Sequence, residues 1–426
     1  MIRSTVKRAL VLASTGFLLC QWAPWLAAAQ RLTPCASNRA SVLKPEPVLQ
    51  GGADSQDFDR LRQHGNEAIY NLDFQVARSD FQRMSELRPD SPAPYVYLAS
   101  CLWLETLNKS RRLSPALFSK LSFYAQKSDS DKTDPERDRA FNDLIERAMA
   151  ASAAALQKNP RDAQALYYQA GALGIRAAYV GTVQRSFKHA ISDANKAAEL
   201  QSKVLKLDPQ YYDAYLSIGL YDYIIGSLPF FWRLLARLAG LGGGSKERGI
   251  EHLETVVSNG RFANDDARVF LEAIYDREGN QDKSLELVDY LRKKYPRNYL
   301  LGVERGRLLY AKGDADEGAR QFESLLNDPK TASEATDIIN YQWAEMLRGR
   351  GDWNQALSKY AAVTQWPGSE QGLVSIAYLN AGQMLDVLGR RQDAIAEYRM
   401  VLERDNVYDS HDQAQSFIKN AYRLGK

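Results

Sequence analysis

The sequence predicts an all-α chain, a solenoid of about eight helical hairpins closed by a C-terminal helix. Three observations carry this. Apolar residues recur at three- and four-residue spacing, as in Phe270, Leu271, Ile274 and Tyr275, which puts them on one helical face. Gly and Pro punctuate the chain in two different phases. Gly279-Asn280, Lys312-Gly313-Asp314, Gly349 to Asp352 and Gly389 suit tight turns inside helical pairs. Pro89, Pro160, Pro209 and Pro296 close second helices, because proline cannot continue them. Finally, one frame of small and large apolar residues returns down the chain. No stretch alternates apolar and polar residues long enough to demand a sheet.

The frame appears first as Leu61, Gly65, Ala77, Phe81, Met84 and Pro89. It returns as Tyr215 and Gly219 with Gly249, Leu253 and Val256, then as Leu271, Tyr275, Ser284, Val288, Leu291 and Pro296. Gly306, Gly318, Phe322 and Leu325 follow, and then Ala344, Leu347, Ala356, Tyr360 and Val363. The clearest copy is Tyr378, Gly382, Leu385, Ala394, Tyr398 and Val401. Two looser units pair Tyr95, Leu98, Ala99 and Leu102 with Ala148, Ser152 and Ala155, and Leu166, Ala170 and Leu173 with Ala197 and Val204. The spacing resembles the tetratricopeptide repeat (TPR) family over residues 58–405. That resemblance implies a right-handed solenoid, and residues 410–424, with Ala414, Phe417, Ile418, Ala421 and Tyr422, read as its closing helix.

The first 29 residues form an export signal: Arg3, Lys7 and Arg8, an apolar run from Ala9 to Leu19, and Ala27-Ala28-Ala29 ahead of Gln30. The apolar run is too short for a retained transmembrane helix. Phe17-Leu18-Leu19 before Cys20 is too bulky for a lipidation site. Removing the signal leaves 52 basic residues against the 52 acidic ones, from 55 in the whole chain. A neutral chain has no electrostatic footprint for nucleic acid. Cleavage leaves Cys35 and Cys101, which an oxidising compartment permits to bridge; the alternative is that Cys101 is a small buried hydrophobe. The expected chain is thus an exported bacterial TPR protein of the periplasm.

The remaining organisation reads as an irregular leader over 30–57, N-terminal repeats over 58–225 with an insertion at 108–134, an amphipathic Gly-rich insertion at 226–245, C-terminal repeats over 246–407, and the cap over 408–426. The acidic tract 127–134 departs from a calcium loop where Gly and Glu are required, and reads instead as a solvated loop with Asp134 capping a helix that starts at Pro135. From Pro229, Phe231, Leu234, Leu235 and Leu238 share one stripe of a helix, with Arg233 and Arg237 on another. Leu228 to Leu253 also resembles an arrangement in a eukaryotic TPR family with a member on the mitochondrial outer membrane. Such a segment either packs over its own repeats or meets a membrane surface or partner through Phe230, Phe231, Trp232, Arg233, Leu234 and Arg237.

Residues 240–246 have Gly-Ser-Lys where a phosphate loop needs Gly-Lys-Ser/Thr. His64, His189, His252 and His411 lie in separate units, and no metal, cofactor or catalytic constellation is predicted. An enzyme built on such repeats would require acids clustered at one end of the groove. In TPR arrays the first helix of each unit lines a concave surface. The resemblance therefore implies a groove of Arg62, Asn66, Trp103, Tyr167, Tyr223, Arg307, Tyr310, Tyr341, Glu345, Arg348 and Gln383. Tyr, Trp and Arg suit a binding surface, although tyrosine in a repeat also fills inter-repeat cores. Arg62 and Asn66 match the first pair of a clamp for C-terminal carboxylates, but Tyr97 and Gln164 stand where that clamp needs Asn and Lys. The expected function is a non-catalytic scaffold binding a protein or peptide in the groove. The alternative is a membrane-peripheral assembly factor docking through 228–241.

Overall fold

A computed structural model of the chain describes residues 53–113, 134–227 and 244–424. The expected signal segment, most of the expected leader, residues 114–133 and residues 228–243 lie outside the described residues. The described chain is all helix and turn. Its first four hairpins pair α1 (Ala53–Tyr70) with α2 (Phe74–Leu87), α3 (Ala93–Lys109) with α4 (Pro135–Lys158), α5 (Ala163–Thr182) with α6 (Phe187–Leu207), and α7 (Tyr215–Ser227) with α8 (Lys246–Asn259). The next four pair α9 (Asn264–Arg277) with α10 (Gln281–Lys294), α11 (Tyr299–Lys312) with α12 (Ala315–Asn327), α13 (Pro329–Arg350) with α14 (Trp353–Gln365), and α15 (Gln371–Val387) with α16 (Arg391–Leu402). Helix α17 (Ser410–Lys419) covers the end.

Second helices bury the same three positions, four and then three residues apart. Ala77, Phe81 and Met84 in α2 do so, as do Ser284, Val288 and Leu291 in α10, Ala356, Tyr360 and Val363 in α14, and Ala394, Tyr398 and Val401 in α16. Small residues on first helices let these large ones approach. A β-carbon on Gly65 would stand 2.4 Å from Phe81, one on Gly306 2.9 Å from Phe322, and one on Gly382 2.5 Å from Tyr398. Each partner lies sixteen residues downstream, so one contact repeats by register. The frame read from the sequence is the packing of the molecule.

Local chemistry fixes the ends. Asp134 accepts from Glu136 N at 2.9 Å with Pro135 following, and Asp162, Asn280, Asn298 and Asp328 cap α5, α10, α11 and α13 in the same way. The closing helix is shorter than the sequence suggests. It stops at Lys419 because Arg391 Nη2 donates to the carbonyls of Phe417 and Ile418, both at 2.7 Å, and Asp386 draws in Tyr422 N at 2.8 Å. Ala421 and Tyr422 are therefore irregular chain, with the Tyr422 ring edge-on to Phe417.

The solenoid turns tightly enough for its first units to sit on its later ones. Arg297 N donates to Asn71 Oδ1 at 3.2 Å, its guanidinium pairs with Asp73, and Asn298 Nδ2 reaches Tyr70 O at 2.7 Å. One unit further along, Arg111 Nε donates to Asp337 Oδ2 at 2.9 Å and Nη2 to Glu334 O at 2.6 Å. One further again, the Arg185 guanidinium lies 5.5 Å from the Tyr408 ring centre. The turns inside the first three hairpins thus meet the connections near the fifth to eighth.

Candidate binding groove

Successive first helices pack on one another, α3 on α5 and α11 on α13, and in the first turn the face they share, which we take as the interior one, is built of tyrosine. Tyr97 of α3 stacks on Phe81 at 5.2 Å and meets Tyr168 edge-on at 6.2 Å. Tyr167 of α5 meets Tyr168 at 5.4 Å and Tyr211 at 4.9 Å. Across from them, the face of α1 carrying Arg62, Asn66 and Tyr70 closes on α9. The Arg62 guanidinium lies 4.2 Å from the Phe262 ring centre, and the Tyr70 hydroxyl donates to Asp266 while its ring stacks on Tyr295 at 4.6 Å.

Asp266 is the sensitive group of this surface. It stays open to solvent although protein surrounds it. The protein crowded around it, aided by the nearby charges of Asp265 and Asp213, pushes its carboxyl up to about 6 against the opposing Tyr70 hydrogen bond. The neighbouring acids are committed elsewhere. Asp265 pairs with Lys294 at 2.6 Å and Arg268 at 2.6 Å. Asp213 accepts from the backbone N–H groups of Arg261, Phe262 and Ala263, at 3.2, 2.8 and 2.8 Å, and so fixes the start of α9. Burial also raises Tyr70 and Tyr167 well above the usual tyrosine value, so both remain neutral hydrogen-bonding groups.

A second polar set lies between α9 and α11. Arg307 donates to Asp276 at 2.9 Å and to Glu304, and lies 3.9 Å from Glu272. Burial opposes its charge, but Glu304, Asp276 and Glu272 together hold it above the ordinary arginine value. Glu272, 5% exposed, is raised by burial and by Glu304 beside it, against the pull of Arg307. Acids do cluster here, and two of the three are engaged by one guanidinium.

The predicted groove residues thus fall into different roles. Arg62, Asn66 and Tyr167 lie on the interior faces just described. Trp103 is tied into the wall, its indole N–H donating to Thr182 Oγ1 at 2.9 Å. Tyr223 is buried and donates to Glu278 at 2.8 Å, so it fills an inter-repeat core instead of lining an open groove. Tyr310 accepts from Trp343 Nε1 at 2.9 Å. Tyr341 and Gln383 are buried too: Asn380 Nδ2 donates to Tyr341 at 3.3 Å, and Arg348 Nη2 donates to Gln383 Oε1 at 2.6 Å and Tyr422 at 3.3 Å. Glu345 accepts from Tyr360 at 2.5 Å and Asn380 at 2.9 Å. Helices α13 and α15 therefore meet through a satisfied polar network. The groove expected from sequence does not include Tyr70, Tyr97, Tyr211, Phe262, Asp266, Glu272, Asp276 or Glu304. Tyr70 had a signal, lying four residues beyond Asn66 on the Arg62 face.

Phe230, Phe231, Trp232, Arg233, Leu234 and Arg237 lie outside the described residues. The flanking chain is pinched: a β-carbon on Gly226 would stand 2.4 Å from Lys246 N, and one on Gly244 2.6 Å from Asp222 O. The described chain on either side of residues 228–243 thus meets within the fourth hairpin. Cys101 is buried with Sγ 3.5 Å from Phe74 O, and burial pushes its thiol up to about 12; Cys35 is outside the described residues. Among the described residues no group of three His, Cys, Asp or Glu could hold a metal ion, and no helix is long and apolar enough to cross a membrane.

No family model matches the chain, and no curated protein does. Solved structures similar to it include yeast Tom70, 13% identical over 86% of this chain and 96% of that one, with a TM-score of 0.40. Human IFIT1 as a dimer with m7Gppp-AAAA is 14% identical over 86% of this chain and 85% of that one, at 0.43. A tetratricopeptide repeat protein from Parabacteroides merdae is 13% identical over 76% of this chain and 98% of that one, at 0.32. The assignment as a helical-repeat solenoid rests on the chain's own hairpins.

Proposed function

We propose that this tetratricopeptide-type solenoid is a non-catalytic scaffold of the cell envelope that binds a protein or peptide segment against the interior face of its first turn. The observation that carries the reading is the surface formed by Tyr97, Tyr167, Tyr211 and Asp266. Tyrosines offer large contact area with few torsions to freeze and a hydroxyl to bond backbone groups. Asp266 has only Tyr70 bonded to it among the described residues, so it is available to a donor or cation. Paired-carboxyl chemistry would need a carboxyl and a carboxylate open to substrate together. Glu272, the most perturbed acid, is shut in the wall, and Asp276 and Glu304 serve Arg307.

The experiment is site-specific photocrosslinking in the native host. A benzophenone amino acid at Tyr167 is expected to capture a discrete partner, whereas one at Val76, exposed on second helix α2, is not. Capture at Val76 alone would place binding on the outside. Export is tested by sequencing the mature N-terminus, expected at Gln30.

A second reading has its own observation. Gly226 and Gly244, which flank residues 228–243, lie close together within the fourth hairpin. The expected aromatic stripe of that segment, beside Arg233 and Arg237, suits the interfacial layer of a membrane.

A further inference from the structure

Hairpins need a left-handed residue where the first helix ends, and glycine takes that conformation most readily. The last four hairpins comply, with Gly279, Gly313, Gly351 and Gly389 at φ of 78°, 100°, 88° and 76°. The first three do not. They carry Leu72, Arg111 and Arg185 at φ of 61°, 53° and 54°. Leu72 and Arg111 make the same turn as the glycines: Leu72 N bonds Ile69 O and Asp73 N bonds Ala68 O, as Gly313 N bonds Tyr310 O and Asp314 N bonds Leu309 O. A β-carbon there is strained, so something must hold it.

What holds it is the same in all three. Leu72 packs into the core around Tyr299, Phe322 and Trp343 of later hairpins. Arg111 bonds Asp337, the Glu334 carbonyl and the Tyr299 hydroxyl, the last at 3.2 Å. Arg185 lies over Tyr408. Tyr408 and Asp409 are themselves left-handed, at 52° and 59°, so all five non-glycine residues of positive φ among the described residues sit at or beside this junction. A glycine at these turns would be unstrained but would take these three side chains out of the junction, leaving the contacts of Tyr70, Asn71 and Asp73 with Arg297 and Asn298 to hold it.

We propose that Leu72, Arg111 and Arg185 form a clasp that holds the first turn of the superhelix on the second, and that the α1 face carrying Arg62, Asn66 and Tyr70 is reached only when the clasp releases. The clasp governs access to the interior that the proposed function uses, but it is defined and tested without a partner.

The test replaces all three residues with glycine, the residue the later turns already use, in the full chain with Cys20 and Cys35 changed to serine. Nitroxide labels at Gln75→Cys and Lys293→Cys, both exposed, report the distance between turns. In a separate background, the rate at which a maleimide modifies Asn66→Cys reports access to the α1 face. With the clasp intact the distance should be short and narrow. The glycine variant should lengthen and broaden it and speed labelling about tenfold or more, as an opening equilibrium moved by one decade requires. An unchanged distance would overturn the clasp; a longer distance with unchanged labelling would overturn its control of access. Should the triple variant lose helical circular dichroism, Arg111→Gly alone is measured by the same two readouts and the same outcomes decide. Partner crosslinking through Tyr167 is a separate observable, so failure of the binding reading leaves this result standing.

Discussion

Arg111 and Asp337, 226 residues apart, form an ion pair of which the acid is wholly withdrawn from water: Nη2 stands 2.9 Å from Oδ1, and the Asp337 side chain is 0% exposed. Asp337 also accepts from Glu370 N at 3.1 Å, so it ties two hairpins as well as two turns. Removing one member of a buried pair strands the other's charge. Arg111→Ala is therefore expected to destabilise by about 3–5 kcal/mol. A change to Leu at 111 with Asn at 337 should recover much of that loss in thermal unfolding. A loss in the double variant equal to the sum of the losses of Arg111→Leu and Asp337→Asn alone would mean that the pair carries no coupling.

Two glycines in first helices should respond to alanine in opposite ways. At Gly382 the new β-carbon would meet Tyr398 at 2.5 Å, inside the repeated small-to-large contact, and the helix pair must part. At Gly349, near the end of α13, nothing lies within 4 Å. Gly382→Ala should cost about 1–3 kcal/mol, whereas Gly349→Ala should stabilise by about 0.5–1 kcal/mol through helix propensity. Calorimetric melting shifts of one sign at both sites would contradict the frame.

The hairpins were legible because their contacts are local: Gly382 and Tyr398 are sixteen residues apart, and the same small–large pair recurs. The prolines after second helices and the Asp134 cap were legible for the same reason. The interior was only partly so. Arg62 and Asn66 share one face of α1 by spacing alone, but what that face meets, Phe262 and Asp266, depends on how tightly the superhelix turns. That pitch is a sum of small rotations no short motif encodes. Tyr223, Tyr341 and Gln383, expected in the groove, are buried, because an inward-facing side chain looks the same in sequence whether it fills a core or lines a groove.

The pH dependence of stability should carry the mark of Glu272. Burial and Glu304 raise its folded pKa above the ordinary glutamate value. The folded chain therefore holds a proton that the unfolded chain releases at about 4.5. Its stabilising contribution is complete below that pH and is lost as pH rises toward the folded value. Glu272→Gln keeps a neutral group able to donate to Glu304, and should raise the melting temperature at pH 7–8 while changing little at pH 4. A variant that lowers stability at neutral pH would show instead that the ionised carboxylate is needed.

The aromatic segment provides the last test. Gly226 and Gly244 bring its two ends against Lys246 and Asp222 within one hairpin, and α7 and α8 pack directly on each other through Gly219, Gly249 and Leu253. The α7–α8 contacts hold the hairpin together through described residues on both helices. Replacing Phe230, Phe231 and Trp232 with serine should leave helical circular dichroism intact. If the segment is an interface, the change removes three anchors worth about 1.5–3 kcal/mol each when buried, and binding to anionic vesicles should fall by orders of magnitude with melting unchanged. If it instead covers its own repeats, melting should drop while vesicle binding, weak in either protein, stays level. The two readings move different observables, so one variant measured in both assays separates a membrane-docking module from a lid; no change in either would remove both roles.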